Sequence, residues 1–145
     1  MTAHTNVDRG RIFQINISQG GVPKLAVLEA EIAELGLVGD RQRNLEVHGG
    51  PDRAVCLYSL ENIVSLQAEG HPVFAGAQGE NLTLAGIDWN QCTPGRRLQI
   101  GSQVFLEITR YTQPCNNLRP YFIAQDYSRV AQSQHPGWSR VYTRV

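Results

Sequence analysis

The sequence predicts a mainly β fold, either a barrel or a sandwich, with few helices. Short apolar segments of strand length recur along the chain, and glycine-containing turns separate them about every 8–15 residues. Only one segment has a clear helical pattern. Strands and helices do not alternate regularly, which argues against a doubly wound parallel sheet.

The sequence predicts the first strand clearly, whereas the segment that follows it is ambiguous. Phe13, Ile15 and Ile17 alternate with polar residues, which is the period of a half-buried strand. Residues 24–35 are ambiguous, because their alanine, leucine and glutamate content favours a helix while some of their apolar residues suit a strand. Both interpretations remain open on local grounds.

The centre of the chain contains the clearest strand and helix. Residues 44–47 are short and extended, and residues 48–52 form a dense turn cluster. Residues 54–58 are continuously apolar, which predicts a buried central strand. Ser59 can cap a helix from Leu60 to about Glu69, which Gly70 then ends.

The last third of the chain is predicted to contain mainly strands and tight turns. Residues 82–84 predict a strand, and residues 98–108 predict a hairpin around Gly101-Ser102. Residues 118–130 suit one or two short helices, and residues 138–145 predict the start of a strand.

Length and charge limit the function classes. The 145 residues fit one domain, which we expect over residues 10–145 after a flexible start at residues 1–9. Thirteen basic and thirteen acidic residues form no run of one sign, so we expect neither a nucleic-acid partner nor a membrane partner. No apolar run approaches the roughly 20 residues of a membrane span. The first residues lack a signal peptide, so we expect a cytoplasmic protein.

Cys115 is the strongest candidate for chemistry. It follows Pro114 in a polar break between an alternating strand and a predicted helix. A position at the start of that helix would favour the thiolate, which is both a nucleophile and a soft metal ligand. The alternative is an ordinary small apolar residue, as cysteines often are.

The other two cysteines are assigned no role. Cys56 lies in the apolar central strand and is expected in the core, whereas Cys92 is expected to be an exposed loop thiol. Three cysteines at wide spacing form neither a disulfide framework nor a zinc site. Trp138 is expected to anchor the core, and Arg96-Arg97 to be a solvated pair.

A second candidate site follows from a glycine-rich turn. His48 precedes Gly49 and Gly50, whose backbone freedom allows close approach to a ligand and whose amides can cradle an oxyanion. Arg53 follows and can add a forked cation. The alternative is a plain β-turn with a surface histidine.

Asn81 belongs to a third candidate, the Gly-Glu-Asn-Leu segment at residues 79–82, which can either orient a polar ligand or close a turn. Several common chemistries are absent from the sequence, including a nucleophile elbow, a phosphate-binding loop and a dinucleotide fingerprint. Lys24 is the only lysine, and its place at a strand entrance argues against covalently bound pyridoxal phosphate.

Four motifs together resemble the MOSC domain, the molybdenum cofactor sulfurase C-terminal family. They occur in the family's order and are GD at 39–40, HGGPDRAVCLYS at 48–59, GENL at 79–82 and PCNNL at 114–118. The resemblance implies a β-barrel with a few short helices, and extended structure for residues 24–32 against their helical propensity. Related domains usually continue beyond Gly137-Trp138, so we expect a barrel that is either short of its last strand or closed in a different way.

The resemblance also implies a function. It suggests a molybdenum pterin cofactor with Cys115 as the molybdenum ligand, in a reductase of N-hydroxylated or similar small substrates. The alternatives are a sulfur carrier with a persulfide on Cys115, and a binding module without catalysis. His48, Gly49, Gly50, Arg53 and Asn81 are the expected cofactor-binding residues. The expected partners are an electron-transfer protein or a cysteine desulfurase.

Overall fold

A mixed seven-stranded sheet organises the protein. The computed structural model describes residues 9–41 and 49–145. The strands in chain order are β1 (Arg11–Ile17), β2 (Leu25–Val27), β3 (Ile32–Ala33), β4 (Gly36–Leu37), β5 (Val55–Ser59), β6 (Leu82–Ala85), β7 (Arg97–Ile100), β8 (Val104–Tyr111) and β9 (Val141–Arg144). Their order in the sheet is β2-β1-β6-β5-β9-β8-β7, and β3 pairs with β4 in a separate hairpin.

The helix α1 (Leu60–Ala68) makes the only parallel strand pairing of the described sheet possible. It connects β5 to β6, which run parallel, and such a crossover needs a long connection. Ser59 Oγ accepts a hydrogen bond from the Asn62 amide at 3.1 Å, so the predicted N-cap is confirmed. Ile63 and Leu66 are buried on one face of the helix.

The mainly β prediction is therefore confirmed, together with the buried strand β5 and the β7–β8 hairpin. Within the described residues, no pairing joins the outer strands β2 and β7, so a closed barrel stays a prediction. No helix in the described part of the chain is long and apolar enough to cross a bilayer.

The ambiguous segment after residue 24 is extended where it meets the sheet. Leu25 pairs with Ile17 and Val27 with Ile15, so β2 obtains its hydrogen bonds from β1 instead of from a helix. Tertiary pairing thus overrides local helix propensity here. Residues 116–130 form three short 3-10 segments, Asn116–Tyr121, Ile123–Gln125 and Tyr127–Val130, where the sequence predicted one or two short helices.

Strand β1 departs from its predicted half-buried pattern. Phe13 is exposed, and Asn16 on the opposite face is fully buried. Asn16 Nδ2 donates to Glu80 O and Thr83 Oγ1, both at 3.1 Å, so this amide is satisfied inside the protein. A register shift between Ile12 and Gln14 accompanies the change.

Two further expectations concern side chains near the core. Cys92 is buried, so the prediction of an exposed loop thiol is wrong; the short 3-10 turn Trp89–Gln91 brings it into the hydrophobic core. Trp138 packs partly buried against that core, with the Arg129 guanidinium 4.0 Å from its ring centroid. Arg96 and Arg97 are exposed, as predicted.

Candidate functional site

Cys115 lies at a small pocket at one end of the sheet, which we call the thiol pocket. The pocket has a volume of about 70 Å³. Its walls include Lys24, Arg53, Cys56, Gln78, Asn81, Cys115, Arg140 and Tyr142. The residues come from five segments of the chain, and the strands β5, β6 and β9 bring them together.

The loop after β8 positions Cys115. Thr112 N donates to Arg140 O at 3.1 Å, which ties the end of β8 to the start of β9. Cys115 then precedes the 3-10 segment Asn116–Tyr121, and its carbonyl accepts from the Leu118 amide at 2.9 Å. Because Leu118 is buried, this segment is held against the core while the Cys115 side chain stays partly exposed.

A second set of contacts holds the 3-10 segments onto α1. Arg129 makes a forked pair with Glu69, with N–O distances of 3.0 and 2.9 Å. The Ile123 amide donates to His71 Nδ1 at 3.1 Å. These contacts fix the chain that follows Cys115, so the thiol is presented from an ordered backbone.

Lys24 lines the pocket and belongs to a buried ion pair. Lys24 Nζ donates to Asp40 Oδ1 and Oδ2 at 2.6 and 2.8 Å, and both side chains are over nine-tenths buried. Asp40 also accepts from the Ser18 amide and from Asn81 Nδ2, each at 2.9 Å. The carboxylate therefore accepts four hydrogen bonds from three donor groups, which makes burying the pair tolerable.

Asn81 connects this pair to the central strand. Its Oδ1 accepts from the Cys56 amide at 3.0 Å, while its Nδ2 reaches Asp40 and the Asn16 carbonyl. Both the amide oxygen and the amide nitrogen of Asn81 are therefore hydrogen-bonded to other parts of the protein. Asn81 is placed in the pocket, and its visible role is to position the walls.

The pocket also contains buried polar atoms without a hydrogen bond. Gln78 is almost completely buried, and neither its Oε1 nor its Nε2 makes a hydrogen bond of normal length among the described residues, although its amide lies near enough to Tyr58 to oppose the rise in the pKa of that hydroxyl. Arg140 Nε lacks a partner too, although Arg140 Nη1 donates to Gln78 O at 2.5 Å. Buried polar atoms are nearly always paired, so unpaired ones in a pocket wall mark groups available to a ligand.

A buried carboxyl lies behind this wall. Burial raises the pKa of Glu80, and hydrogen bonds and the nearby Arg140 oppose that shift. Thr83 Oγ1 donates to Glu80 Oε2 at 3.1 Å, and Glu80 Oε1 has no partner in the described structure.

The two thiols of the pocket lie in different environments. Burial raises the pKa of Cys56 to about 11, so this thiol keeps its proton at neutral pH. Burial also raises the pKa of Tyr142 to about 12. Cys115 is the partly exposed thiol, so a reagent in solvent meets it before it meets Cys56.

The sequence-predicted residues are only partly assembled here. Cys115, Arg53 and Asn81 line the pocket, and Arg53 lies 5.9 Å from the Tyr142 ring centroid. Gly49 and Gly50 are outside its lining, and His48 and residues 44–47 lie outside the described residues. Binding of a cofactor by this turn stays a prediction.

Sequence reasoning did not assign a site role to Lys24, Asp40, Gln78 or Arg140. The sequence did contain one sign that Lys24 is unusual, because it is the single lysine in a chain with twelve arginines. Asp40 belongs to a quoted motif but had no predicted partner. Nothing local marks Gln78 and Arg140, because their importance comes from burial beside the pocket.

Several known proteins are similar to this chain in sequence. The protein YiiM of Escherichia coli (strain K12) is 31% identical over 115 residues, which are 76% of this chain and 51% of YiiM. The uncharacterized protein YflK of Bacillus subtilis (strain 168) is 33% identical over 108 residues, 74% of this chain and 48% of YflK. A protein named "Reductase" from Gibberella moniliformis (strain M3125 / FGSC 7600) is 31% identical over 72% of this chain and 19% of its own length.

Solved structures share the fold. A crystal structure of a hypothetical protein superposes with a TM-score of 0.70 at 26% identity, covering 94% of this chain and 62% of that one. YiiM from Geobacillus stearothermophilus superposes with a TM-score of 0.66, covering 94% of this chain and 68% of that one; at 23% identity this shows the fold alone. The chain spans about half the length of YiiM of Escherichia coli and of YflK.

The MOSC domain profile matches residues 44–145, most of the chain, including β5, β6 and the Cys115 loop. The chain therefore belongs to the MOSC domain family.

Proposed function

We propose that this chain binds a molybdenum pterin cofactor in the thiol pocket, with Cys115 as the protein ligand of the metal. The observation that carries the proposal is the position of a partly exposed thiol beside buried polar atoms that lack partners. Thiolate is a soft ligand suited to such a metal.

The chemistry of the residues present fits this group, of which a pocket of about 70 Å³ holds only a part. A pterin presents ring nitrogens and a carbonyl, which match the unpaired amide of Gln78 in both donor and acceptor capacity. Arg53 and Arg140 line the same pocket and suit an anionic ligand. No cluster of three or more His, Cys, Asp or Glu side chains occurs among the described residues, so a single protein thiolate is the metal ligand that they offer.

Each wall of the pocket has a separate task in this proposal. Cys115 would supply the sulfur ligand, and Gln78 and Arg140 would orient the pterin. Lys24, Asp40 and Asn81 would keep the wall rigid through their mutual hydrogen bonds. Cys56 stays a neutral thiol, so it does not compete with Cys115 for the metal. When bound, the cofactor would supply oxygen-atom transfer chemistry, which the protein itself lacks.

We propose a reductase of N-hydroxylated or similar small substrates as the whole activity. The relative named "Reductase" supports this direction, although the chain matches only 19% of that protein. Such an activity needs electrons from a separate electron-transfer protein. The cytoplasmic location is part of the same proposal.

A sulfur carrier is the second candidate, favoured by the accessibility of Cys115. In that case, the Cys115 thiolate would attack the outer sulfur of a persulfide on a cysteine desulfurase, breaking that S–S bond, releasing the donor's thiolate and leaving a persulfide on Cys115. The two candidates differ in what the purified protein carries. A reductase carries metal, whereas a carrier gains about 32 Da on one cysteine.

Elemental analysis tests the first candidate directly. Protein purified from a host that makes the cofactor should contain close to stoichiometric molybdenum, and Cys115→Ser should lose it. Cys92→Ser is the matched control, because Cys92 lies outside the pocket and its replacement should leave the metal content unchanged.

Intact mass under non-reducing conditions separates the second candidate. A persulfide on the parent protein that Cys115→Ser removes, without molybdenum, supports the carrier. If Cys115→Ser changes neither metal nor sulfur content, both candidates are wrong and a binding module without catalysis remains.

A further inference from the structure

A large cleft opens at the end of the sheet opposite the thiol pocket, and we call it the arginine cleft. The thiol pocket includes Gln78, Gly79 and Asn81, which precede β6, whereas the cleft includes Leu84 and Ile87 from its far end. The cleft has a volume of about 1270 Å³. Its apolar floor includes Ile12, Leu84, Ile87, Leu98, Ile100 and Ile108.

Two unpaired strand edges border this cleft. All four residues of β7 line it, and in the described sheet β7 pairs only with β8. Arg11 and Ile12 of β1 line the other side, where β1 pairs with β6 but not with β2. Unpaired edges present free amide and carbonyl groups that accept another strand.

The cleft carries excess positive charge. Arg9, Arg11, Arg96 and Arg97 line it and are exposed, and Asp88 is the acidic residue of its lining. Arg97 pairs with Glu107 at 3.3 Å. Among the carboxylates of residues 9–41 and 49–145, none forms an ion pair with any of the other three arginines.

A complementary surface lies elsewhere on the same chain. Residues 25–38, which we call the acidic hairpin segment, contain β2 and the β3–β4 hairpin. Glu29, Glu31 and Glu34 are exposed and have no ion-pair partner in the described structure. Large apolar side chains stand exposed beside them, at Leu25, Leu28, Leu35 and Val38.

We propose that the acidic hairpin segment of one copy docks in the arginine cleft of a second copy. Three glutamates would meet three arginines that form no ion pair within residues 9–41 and 49–145, and the exposed leucines would cover the apolar floor of the cleft. The outer edge of β2 is also unpaired in the described sheet, so it can extend the partner's β7 edge.

The positions of the two surfaces determine the type of contact. The segment joins β1 at its far end, where Leu25 pairs with Ile17 and the Arg41 amide donates to Ser18 O at 2.8 Å. The cleft contains Arg11, at the opposite end of β1. The contact is therefore heterologous, with the cleft of one copy facing the segment of the next.

Sedimentation equilibrium of the whole chain tests the association. At low salt the weight-average mass should rise with concentration above the 16.1 kDa of one chain, and added salt should reduce it. A single-chain mass at every concentration and at low salt overturns the proposal, even if an acidic peptide of another sequence binds the cleft.

Charge-reversed variants test the two surfaces. Arg11→Glu/Arg96→Glu and Glu29→Arg/Glu31→Arg should each weaken self-association at least about tenfold, and mixing the two variants should restore it. The control Arg110→Glu/Arg119→Glu reverses two exposed arginines outside the cleft and should associate like the parent. Failure of the mixture to associate, or equal weakening in the control, overturns the proposal. Whether or not the chains associate, the two surface variants should keep the molybdenum content of the parent, because the cleft shares no residue with the thiol pocket. Failure of this proposal is therefore distinguishable from failure of the proposed function.

Discussion

The two ends of the central sheet use polar residues in opposite ways. At the thiol pocket, Lys24 and Asp40 are buried and bonded to each other, and Gln78 is buried without a partner. At the arginine cleft, the charged side chains are exposed and the floor is apolar. A small pocket with a few buried polar groups suits a small ligand, whereas a wide cleft bordered by strand edges that are unpaired in the described sheet suits another chain.

The buried ion pair provides the largest expected difference between the two ends. Asp40→Ala should lower the free energy of unfolding by about 3–5 kcal/mol, because it leaves the Lys24 ammonium buried without a counter-charge. Arg97→Ala at the cleft removes an exposed pair and should leave the free energy of unfolding nearly unchanged. Urea unfolding of both variants measures the contrast, and similar losses at the two ends would contradict it.

The two pocket thiols provide a smaller difference. Cys56→Ser should destabilise the protein by about 1–3 kcal/mol, since it places a hydroxyl in a buried site without an assured partner. Cys115→Ser should change stability little, because its side chain is already partly exposed. Thermal melting measures both effects.

Thiol labelling of the folded protein provides a second readout of the same pair. One cysteine should react quickly, and Cys115→Ser should abolish that fast phase while Cys56→Ser preserves it. A fast phase that survives in Cys115→Ser would show that the accessible thiol has been assigned wrongly.

The smallest predicted effect is a pH dependence. Burial holds the pKa of Glu80 above its ordinary value of 4.5, so the folded chain retains this proton at a pH where the unfolded chain has lost it. The contribution of Glu80 to stability therefore falls as the pH rises above 4.5. Glu80→Gln cannot ionise and should gain in melting temperature relative to the parent between acidic and mildly alkaline pH.

The informative quantity is how the difference in melting temperature between Glu80→Gln and the parent changes with pH. The amide also changes local hydrogen bonding, but by an amount that does not depend on pH. Glu61→Gln serves as the control, since Glu61 is exposed. A difference between Glu80→Gln and the parent that shrinks with rising pH would mean that the ionised carboxylate stabilises the fold.

Local sequence patterns correctly predicted the elements whose burial in the structure matches the apolar pattern of their own residues. The continuous apolar run at residues 54–58 became the fully buried β5, and Ser59 caps α1 as its side chain allows. Cys115 was found from its position after Pro114 in a polar break. In each case, the residue's neighbours in sequence are also the neighbours that determine its environment.

Long-range contacts decided the cases that local patterns missed. Cys92 is buried because the Trp89–Gln91 turn packs into the core, and Asn16 is buried because Glu80 O and Thr83 Oγ1 satisfy its amide. Gly76 illustrates the same dependence: a side chain there would collide with the carbonyl oxygen of Lys24, which is distant in sequence.

The amino-acid sequence by itself determined that the chain is mainly β and that it has one capped helix, and it predicted Cys115 as the foremost reactive residue. Only the tertiary structure decided that Lys24, Gln78 and Arg140 line a pocket with that thiol, that Asp40 pairs with Lys24, and that strand edges unpaired in the described sheet border a cleft at the far end. The physical reason is that periodicity and capping act between near neighbours, whereas burial and ion pairing depend on which distant segments the sheet brings together.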